Sequence, residues 1–222
     1  MKYNALIFDR DGVLTYFDLV AAADFFQPLL PISVWEMAKE WQAFGEKWGF
    51  PDSLSAEQRF FAAFWAELAE RHRLTTNQSG ALHTLDYTRF VRAFPDAHPA
   101  LQSGRTAGYR IGVLSNFSLA SLAPSLAAAG LADLVDAACA ATVIGAAKPQ
   151  RAAYAIAAKA LGVEPQTCLF FDDELACVEG ARSAGMWGFL VDRHSTAAPG
   201  PDAVTTLHCL PALLGFADDR VE

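Results

Sequence analysis

Short apolar runs of strand length recur along the chain, and helical patterns lie between them. The runs are residues 3–8, 109–115, 135–140, 167–173 and 187–192. Each is a nearly continuous series of apolar side chains, which is typical of a strand covered on both faces. Segments 118–131 and 149–163 have helical patterns, with Gly130 and Gly162 near their ends. Strands that alternate with helices predict an α/β fold with a doubly wound, Rossmann-like parallel sheet of about five strands.

Residues 16–94 interrupt this alternation. A crossover needs only a dozen or so residues, so a helical stretch of this length after the first strand predicts a small inserted all-α domain. The predicted core is therefore discontinuous, with residues 1–15 and 95–222 on either side of a helical cap at 16–94. The cap sequence is rich in aromatic residues, which are Trp35, Trp41, Trp48, Trp65, Phe25, Phe26, Phe44, Phe60, Phe61 and Phe64. They either fill the interior of this small bundle or form an aromatic wall that faces a substrate.

Composition narrows the classes of partner. The chain has 222 residues, of which 53% are hydrophobic and 19% charged, so it folds around at least one full core. A net charge of −8 argues against a surface for nucleic acid or an anionic membrane. The four cysteines form no CxxC pair, and free thiols in a reducing cytoplasm are the simplest interpretation. Without a secretory signal or a membrane-spanning stretch, we expect a soluble, cytoplasmic protein, and the oligomeric state stays open.

Polar motifs stand where ligands bind in such sheets, beyond the carboxyl ends of the strands. They are Asp9-Arg10-Asp11-Gly12, Ser115-Asn116, Lys148-Pro149 and Asp172-Asp173. Each alone has an ordinary explanation as a turn, a cap or a solvated charge. Together, converging carboxylates and one lysine would form a hard-oxygen site for Mg²⁺ and a phosphate oxygen.

Two other phosphate or metal motifs are excluded. Taking Asp9 as the first position of a calcium loop puts Leu14 where that loop requires glycine, and a strand precedes it instead of a helix. The pattern GxxxxGK[ST] of nucleotide-binding P-loops does not occur in the chain.

The motifs FDRDGVLT, VLSN, Lys148-Pro149 and FFDDELACVEGA resemble, in order, the four motifs of the haloacid dehalogenase superfamily. The resemblance extends over the chain, and the helical insertion is similar to that family's α-helical cap. It implies that Asp9 is a nucleophile that becomes an aspartyl-phosphate, and that Asp11 is the general acid and base. It further implies that Ser115, the Asn116 backbone and Lys148 hold the phosphoryl group. Asp9, the Asp11 carbonyl and Asp173 would bind Mg²⁺, with Asp172 supporting the metal shell.

The resemblance predicts a Mg²⁺-dependent phosphatase that acts on a small phosphate monoester. Asp11 favours phosphoryl transfer, because dehalogenating members typically lack an acid at this position. A phosphomutase, a 2-haloacid dehalogenase and a catalytically silent binding or regulatory module on the same fold are the alternatives.

Four residues leave questions for the structure. Cys177 stands where the fourth motif more commonly has Asp or Asn, and a buried thiol is its simplest interpretation. Arg10 either contacts the leaving group or points away from it. Arg89 and Arg92 are candidates for binding a second anionic group, with exposed helix charge as the other explanation.

Overall fold

The computed structural model describes residues 3–196, 200 and 202–219. In chain order, its strands are β1 (Ala5–Phe8), β2 (Thr15–Phe17), β3 (Val91–Ala93), β4 (Arg110–Ser115), β5 (Ala137–Ala140), β6 (Cys168–Asp172), β7 (Trp187–Val191) and β8 (Ala203–Val204). Its α-helices are α1 (Leu19–Phe26), α2 (Val34–Trp48), α3 (Leu54–His72), α4 (Thr76–His83), α5 (Ala97–Thr106), α6 (Leu122–Ala128), α7 (Ala141–Ile144), α8 (Arg151–Ala160), α9 (Leu175–Ser183) and α10 (Leu210–Asp219).

Six strands form one sheet in the order β5-β4-β1-β6-β7-β8, and all neighbouring strands in it are parallel. Alternate side chains of the central strands enter two separate cores, as the pleat requires. Leu6 and Phe8 pack with residues of α5, α6 and α10 on one face, whereas Ala5 and Ile7 pack with residues of α8 and α9 on the other. The predicted doubly wound α/β sheet is confirmed.

The five predicted strands are all present, with ends that differ by up to two residues. A sixth strand, β8, has only two residues and lies at the sheet edge, where its sequence carries no apolar run. The expectation that every strand is covered on both faces is wrong for β5, which is partly exposed because it forms the opposite edge. The two predicted helices are shorter than their patterns, at α6 and α8.

The inserted segment is helical, as expected, and is consistent with a cap. It leaves and rejoins the sheet through the antiparallel ribbon of β2 and β3, which the sequence did not indicate. Helices α1–α4 surround a hydrophobic cluster of their own, built around Phe26, Phe60, Phe64 and Leu68. The division into a core at 1–15 and 95–222 and a cap at 16–94 stays a prediction, and residues 1–2, 197–199, 201 and 220–222 of that core lie outside the described residues.

The aromatic residues of the helical segment serve different purposes. Trp65 is buried in the cluster, but Trp35 and Trp48 are 62% and 63% exposed, so the first of the two explanations, that these rings fill the interior, does not hold for them. Within the described residues, no helix combines the length and the apolarity needed to cross a bilayer.

Candidate active site

Motifs from three neighbouring strands meet at the carboxyl ends of the strands. Asp9 follows β1, Ser115 ends β4 and Asp172 ends β6. Because β1 pairs in parallel with both β4 and β6, the carboxyl ends of the three strands lie side by side. Lys148, in the loop before α8, reaches the same place, where its Nζ lies 2.8 Å from Asp9 Oδ1 and 2.7 Å from Asp172 Oδ2.

Burial sets the protonation of this cluster. Burial raises the pKa of Asp9 to about 6, Lys148 opposes that rise and Asp172 adds to it. Burial would lower the pKa of Lys148, but the two carboxylates outweigh it and leave the pKa raised. Lys148 Nζ lies at ion-pair distance from Asp9 Oδ1, but the two groups do not have hydrogen-bond geometry. Among the described residues, this buried oxygen accepts no hydrogen bond. A cation beside Asp9 would therefore favour its ionised form.

Three carboxylates at this edge form a cluster that could hold a metal ion. Asp9, Asp172 and Asp173 each offer an oxygen, and these oxygens lie within 4.8 Å of one another. Asp172 is fully buried, and its two oxygens already accept from Lys148 Nζ and the Glu174 N–H. Asp9 and Asp173 are therefore the better placed ligands, and their hard oxygens suit Mg²⁺. Asp172 thus holds Lys148, and its predicted role in supporting the metal shell stays a prediction.

Gly12 makes room for Asp173. A Cβ on Gly12 would lie 2.1 Å from Asp173 Oδ2, and the Gly12 φ of 78° is one that other residues rarely adopt. The glycine of the first motif thus lets the carboxylate of the fourth motif lie against the backbone.

Asp11 lies at the mouth of the same cavity with half of its side chain exposed. Arg10 holds it through an ion pair, and the Thr15 hydroxyl donates to its other oxygen at 3.3 Å. Arg10 is itself buried, donates to Ser125 Oγ at 2.9 Å and lies 3.8 Å from the centroid of the Phe117 ring. Arg10 therefore does not point away from the site: it fixes the position of Asp11.

Asn116 fixes the loop that carries Lys148. Its side-chain Nδ2 donates to the backbone carbonyl of Lys148 at 2.9 Å, and its side-chain Oδ1 accepts from the backbone N–H of Lys148 at 2.7 Å. With the side chain so occupied, the backbone of Asn116 and the buried Ser115 hydroxyl are the groups left to face a ligand. Their predicted role in holding phosphate stays a prediction.

A cavity of about 420 Å³ lies above these residues. Its lining consists of Asp9, Arg10, Asp11, Gly12, Trp41, Ser115, Asn116, Phe117, Ser118, Lys148, Asp173 and Glu174. Sequence reasoning missed Phe117 and Ser118, the two residues after the VLSN motif, and Glu174, which lies within the fourth motif but was given no role. From the sequence, Trp41 was named only as one of ten aromatic residues of the helical segment, because the local sequence does not show which of these side chains faces the sheet.

Cys177 is a buried thiol, as its simplest interpretation has it. Its Sγ donates to the Glu174 carboxylate at 3.4 Å, and burial raises its pKa to about 12. The cysteine thus packs beneath the site in its neutral form and does not line the cavity.

Arg89 and Arg92 lie elsewhere. Arg89 lies over the rings of Phe25 and Phe90, and Arg92 donates to the Arg89 carbonyl and pairs with Asp18 at 3.4 Å. Neither arginine lines the cavity.

Comparison with known proteins identifies the family. A family model described as haloacid dehalogenase-like hydrolase matches residues 3–185. The chain belongs to the haloacid dehalogenase-like hydrolases. This hydrolase is 40% identical over 218 residues to the phosphatase MT3486 of Mycobacterium tuberculosis (strain CDC 1551 / Oshkosh), a match that covers 98% of the chain and 99% of the relative.

Solved structures share the fold of this haloacid dehalogenase-like hydrolase. An HAD phosphatase from Thermococcus onnurineus is 25% identical with a TM-score of 0.65, over 96% of this chain and 98% of the other. The L-2-haloacid dehalogenase from Xanthobacter autotrophicus is 23% identical with a TM-score of 0.67, over the same shares. The protein is therefore an enzyme of the hydrolase class, and the neighbours include both phosphatases and dehalogenases.

Proposed function

We propose that this hydrolase is a Mg²⁺-dependent phosphatase that cleaves a small phosphate monoester. The observation that carries the proposal is the second carboxylate, Asp11, which is half-exposed beside Asp9 and held by Arg10 and Thr15. Displacement of an alkoxide from phosphorus needs an acid to protonate the leaving oxygen, whereas a halide leaves without one. The 40% identical relative carries the name phosphatase, which agrees with this choice.

The proposed reaction has two displacements. In the first, an Asp9 oxygen forms a bond to phosphorus while the bond from phosphorus to the leaving oxygen breaks, and Asp11 gives its proton to that oxygen. In the second, Asp11 takes a proton from water, which attacks the phosphorus of the aspartyl-phosphate and restores the Asp9 carboxylate. Dividing the reaction in this way replaces one difficult step with two easier ones.

The charges of the site support phosphate transfer. A phosphate dianion and the Asp9 carboxylate repel each other, and the buried ammonium of Lys148, 2.8 Å from Asp9, offsets part of that repulsion. Asp9 and Asp173, with the Asp11 carbonyl, would hold Mg²⁺, which when bound supplies further neutralisation of phosphate charge. Ser115 and the Asn116 backbone would orient the phosphoryl oxygens.

The test compares phosphate and halide release on purified protein. We expect phosphate from p-nitrophenyl phosphate only when Mg²⁺ is present, and no halide from 2-chloropropionate. Asp9→Asn keeps the shape of the side chain but removes the nucleophile, so turnover should be lost while the circular dichroism spectrum is unchanged. More than a tenth of wild-type activity in that variant would exclude the aspartyl-phosphate route.

The same assay separates the alternatives. Halide release without phosphate release would indicate a 2-haloacid dehalogenase, which the solved neighbours of that name make the principal competitor. Transfer of the phosphoryl group to a second hydroxyl of a sugar phosphate, instead of to water, would indicate a phosphomutase. No turnover of any ester or haloacid would indicate a binding or regulatory module.

A further inference from the structure

The helical segment reaches the cavity through one side chain. Of the cavity-lining residues described, Trp41 of α2 is the only one that belongs to α1–α4. Its ring packs at 5.3 Å from Phe50 and edge-on to Phe60 at 6.0 Å. These two rings restrain the indole, and the part of it that lines the cavity offers an aromatic surface.

Phe117 adds a second ring, from the loop after β4. The Arg10 guanidinium lies 3.8 Å from its centroid, and Tyr87 packs against it at 6.1 Å. These contacts fix the Phe117 ring at the cavity, next to the motif that would hold phosphate. An aromatic group therefore comes from each side, one from the helices and one from the sheet.

Among the described residues that line the cavity, both cations already have ion-pair partners, so neither is left for a second anionic group. Its lining carries four carboxylates, from Asp9, Asp11, Asp173 and Glu174, against the two cations Arg10 and Lys148. Arg10 pairs with Asp11, and Lys148 pairs with Asp9 and Asp172.

Two arginines of the helical segment, Arg71 and Arg92, form ion pairs outside the cavity. Arg71 pairs with Glu40 and Glu67, and Arg92 pairs with Asp18. Among the described residues that line the cavity, a carboxylate or a second phosphate on the leaving group would thus meet the Glu174 carboxylate and no cation that lacks an ion-pair partner.

From these observations, and resting on the proposed phosphatase activity, we propose that the substrate's leaving group is uncharged and apolar, with an aromatic ring that packs on Trp41. A cavity of about 420 Å³ has room for a phosphate and a group of benzyl size. Aromatic rings gain from offset or edge-to-face contact with an indole beyond their apolar burial. Trp41 is thus the specificity-determining residue of the helical segment.

The first test ranks alkyl phosphates with Mg²⁺ by kcat/KM. The panel is benzyl, cyclohexylmethyl and ethyl phosphate together with 2-phosphoglycolate, all of which have alkoxide leaving groups, so that intrinsic reactivity does not decide the order. We expect benzyl phosphate to exceed ethyl phosphate about tenfold or more, which is the size of effect that burying a ring supplies. The anionic 2-phosphoglycolate should be the poorest of the four.

The second test uses variants of one helix. Trp41→Ala should lower kcat/KM for benzyl phosphate by roughly tenfold and leave ethyl phosphate within about threefold of wild type. Trp41→Leu keeps apolar bulk against Phe50 and Phe60, so it provides a folded variant without the ring. Trp48→Ala is the matched control, because Trp48 is 63% exposed on the same helix and does not line the cavity. Calorimetric affinity for benzylphosphonate should fall with Trp41→Ala and Trp41→Leu only.

The outcomes are distinguishable. Preference for 2-phosphoglycolate, or equal losses on benzyl and ethyl phosphate in both Trp41 variants, would overturn the substrate class while leaving the phosphatase proposal in place. Absence of phosphate release from every ester, including p-nitrophenyl phosphate, would overturn both.

Discussion

Asp11 depends on its neighbours for its position more than on its own backbone. Half of its side chain is exposed, so packing alone does not restrict the side chain to one rotamer. The Arg10 ion pair and the Thr15 hydroxyl restrain it, and Arg10 is in turn held by Ser125 and Phe117. An acid held in one position is what proton transfer to a leaving oxygen requires.

The leaving-group dependence of Asp11→Asn tests this assignment. The amide cannot give a proton, so the variant should slow esters of poor alkoxide leaving groups, such as benzyl phosphate, by about 10²- to 10⁴-fold. Esters of p-nitrophenol need little protonation and should slow far less. Both are measured as kcat with saturating Mg²⁺. Equal slowing of the two would show that Asp11 acts through structure or metal binding.

A second pair of residues separates metal ligation from packing. Asp173 offers an oxygen to the carboxylate cluster, whereas Cys177 contacts Glu174 and lies outside the cavity. Asp173→Ala should abolish both Mg²⁺ activation and the Mg²⁺-dependent rise in Tm. Cys177→Ala should leave both nearly unchanged, because the thiol donates to Glu174, which is not one of the three clustered carboxylates. Equal damage from the two variants, in matched Mg²⁺ titrations, would mean that the ligand set is wrong.

Helix α3 is joined to the sheet side of the protein by one buried carboxylate. Glu57, in the first turn of α3, accepts from the Ser121 N–H at 2.9 Å and from the Ser121 hydroxyl. Ser121 precedes α6, and its single hydroxyl proton points to Glu57, so Tyr87 must donate to that oxygen. Burial raises the pKa of Tyr87, which keeps it a donor. This contact links the helical segment to the loop that carries Phe117.

Glu57→Gln should weaken that link. Only one of the two terminal atoms of the amide accepts, so in the same geometry its N–H₂ would face one of the two Ser121 donors. We therefore expect the free energy of unfolding to fall by about 1–3 kcal/mol. Glu67→Gln is the matched control on α3, because Glu67 is in an exposed i,i+4 ion pair with Arg71 and should cost at most about 0.5 kcal/mol. Urea unfolding measures both. Equal costs would contradict the link.

Distant parts of the chain converge on Asp96. This buried carboxylate accepts from Arg193 at 2.9 and 3.0 Å, from the Thr206 hydroxyl at 2.6 Å and from the Leu207 N–H at 2.8 Å. Arg193 also donates to the carbonyls of Gly12 and Val13, directly after Asp11. The loop of the first motif is therefore tied to the C-terminal part of the sheet.

The contribution of Asp96 to the free energy of unfolding should be present above about pH 4 and be lost at lower pH. Burial acts to raise its pKa, but the hydrogen bonds from Arg193, Thr206 and Leu207 outweigh it and hold the pKa below the ordinary 3.8. A lowered carboxyl pKa contributes stability that is present above the ordinary value and is lost as the pH falls below it. Asp96→Asn should therefore cost about 3 kcal/mol at both pH 7 and pH 5, with the cost shrinking below about pH 4.

Urea unfolding across that pH range measures the cost. Asp52→Asn, at an exposed position before α3, is the control and should have little effect at any pH. A cost of Asp96→Asn that already changes between pH 7 and pH 5 would mean that another group governs it.

Much of the fold and of the site follows from local pattern. The apolar runs before Asp9, Asn116 and Asp173 have the length of buried strands, and the helical patterns between such runs indicate that helices cover both faces of the sheet. Once the sheet is parallel, the polar residues that follow its strands must gather at one edge. Asp9, Ser115, Lys148 and Asp173 were therefore predictable as a cluster, whereas their roles, and that of Asp172 in supporting a metal shell, stay predictions.

The sequence by itself determined the sheet, the helical insertion and the residues at the strand ends, because these depend on spacing and on the polarity of near neighbours. Only the tertiary structure decided which way the inserted helices face. Trp41, Phe44 and Trp48 of α2 recur at i, i+3 and i+7 and so share one helix face. The pattern therefore could not show that Trp41 lines the cavity while Trp48 faces solvent. Likewise, Glu57 meets Ser121, and Asp96 meets Arg193, across 64 and 97 positions. Such pairs are set by how the layers pack, and no local period of the sequence records them.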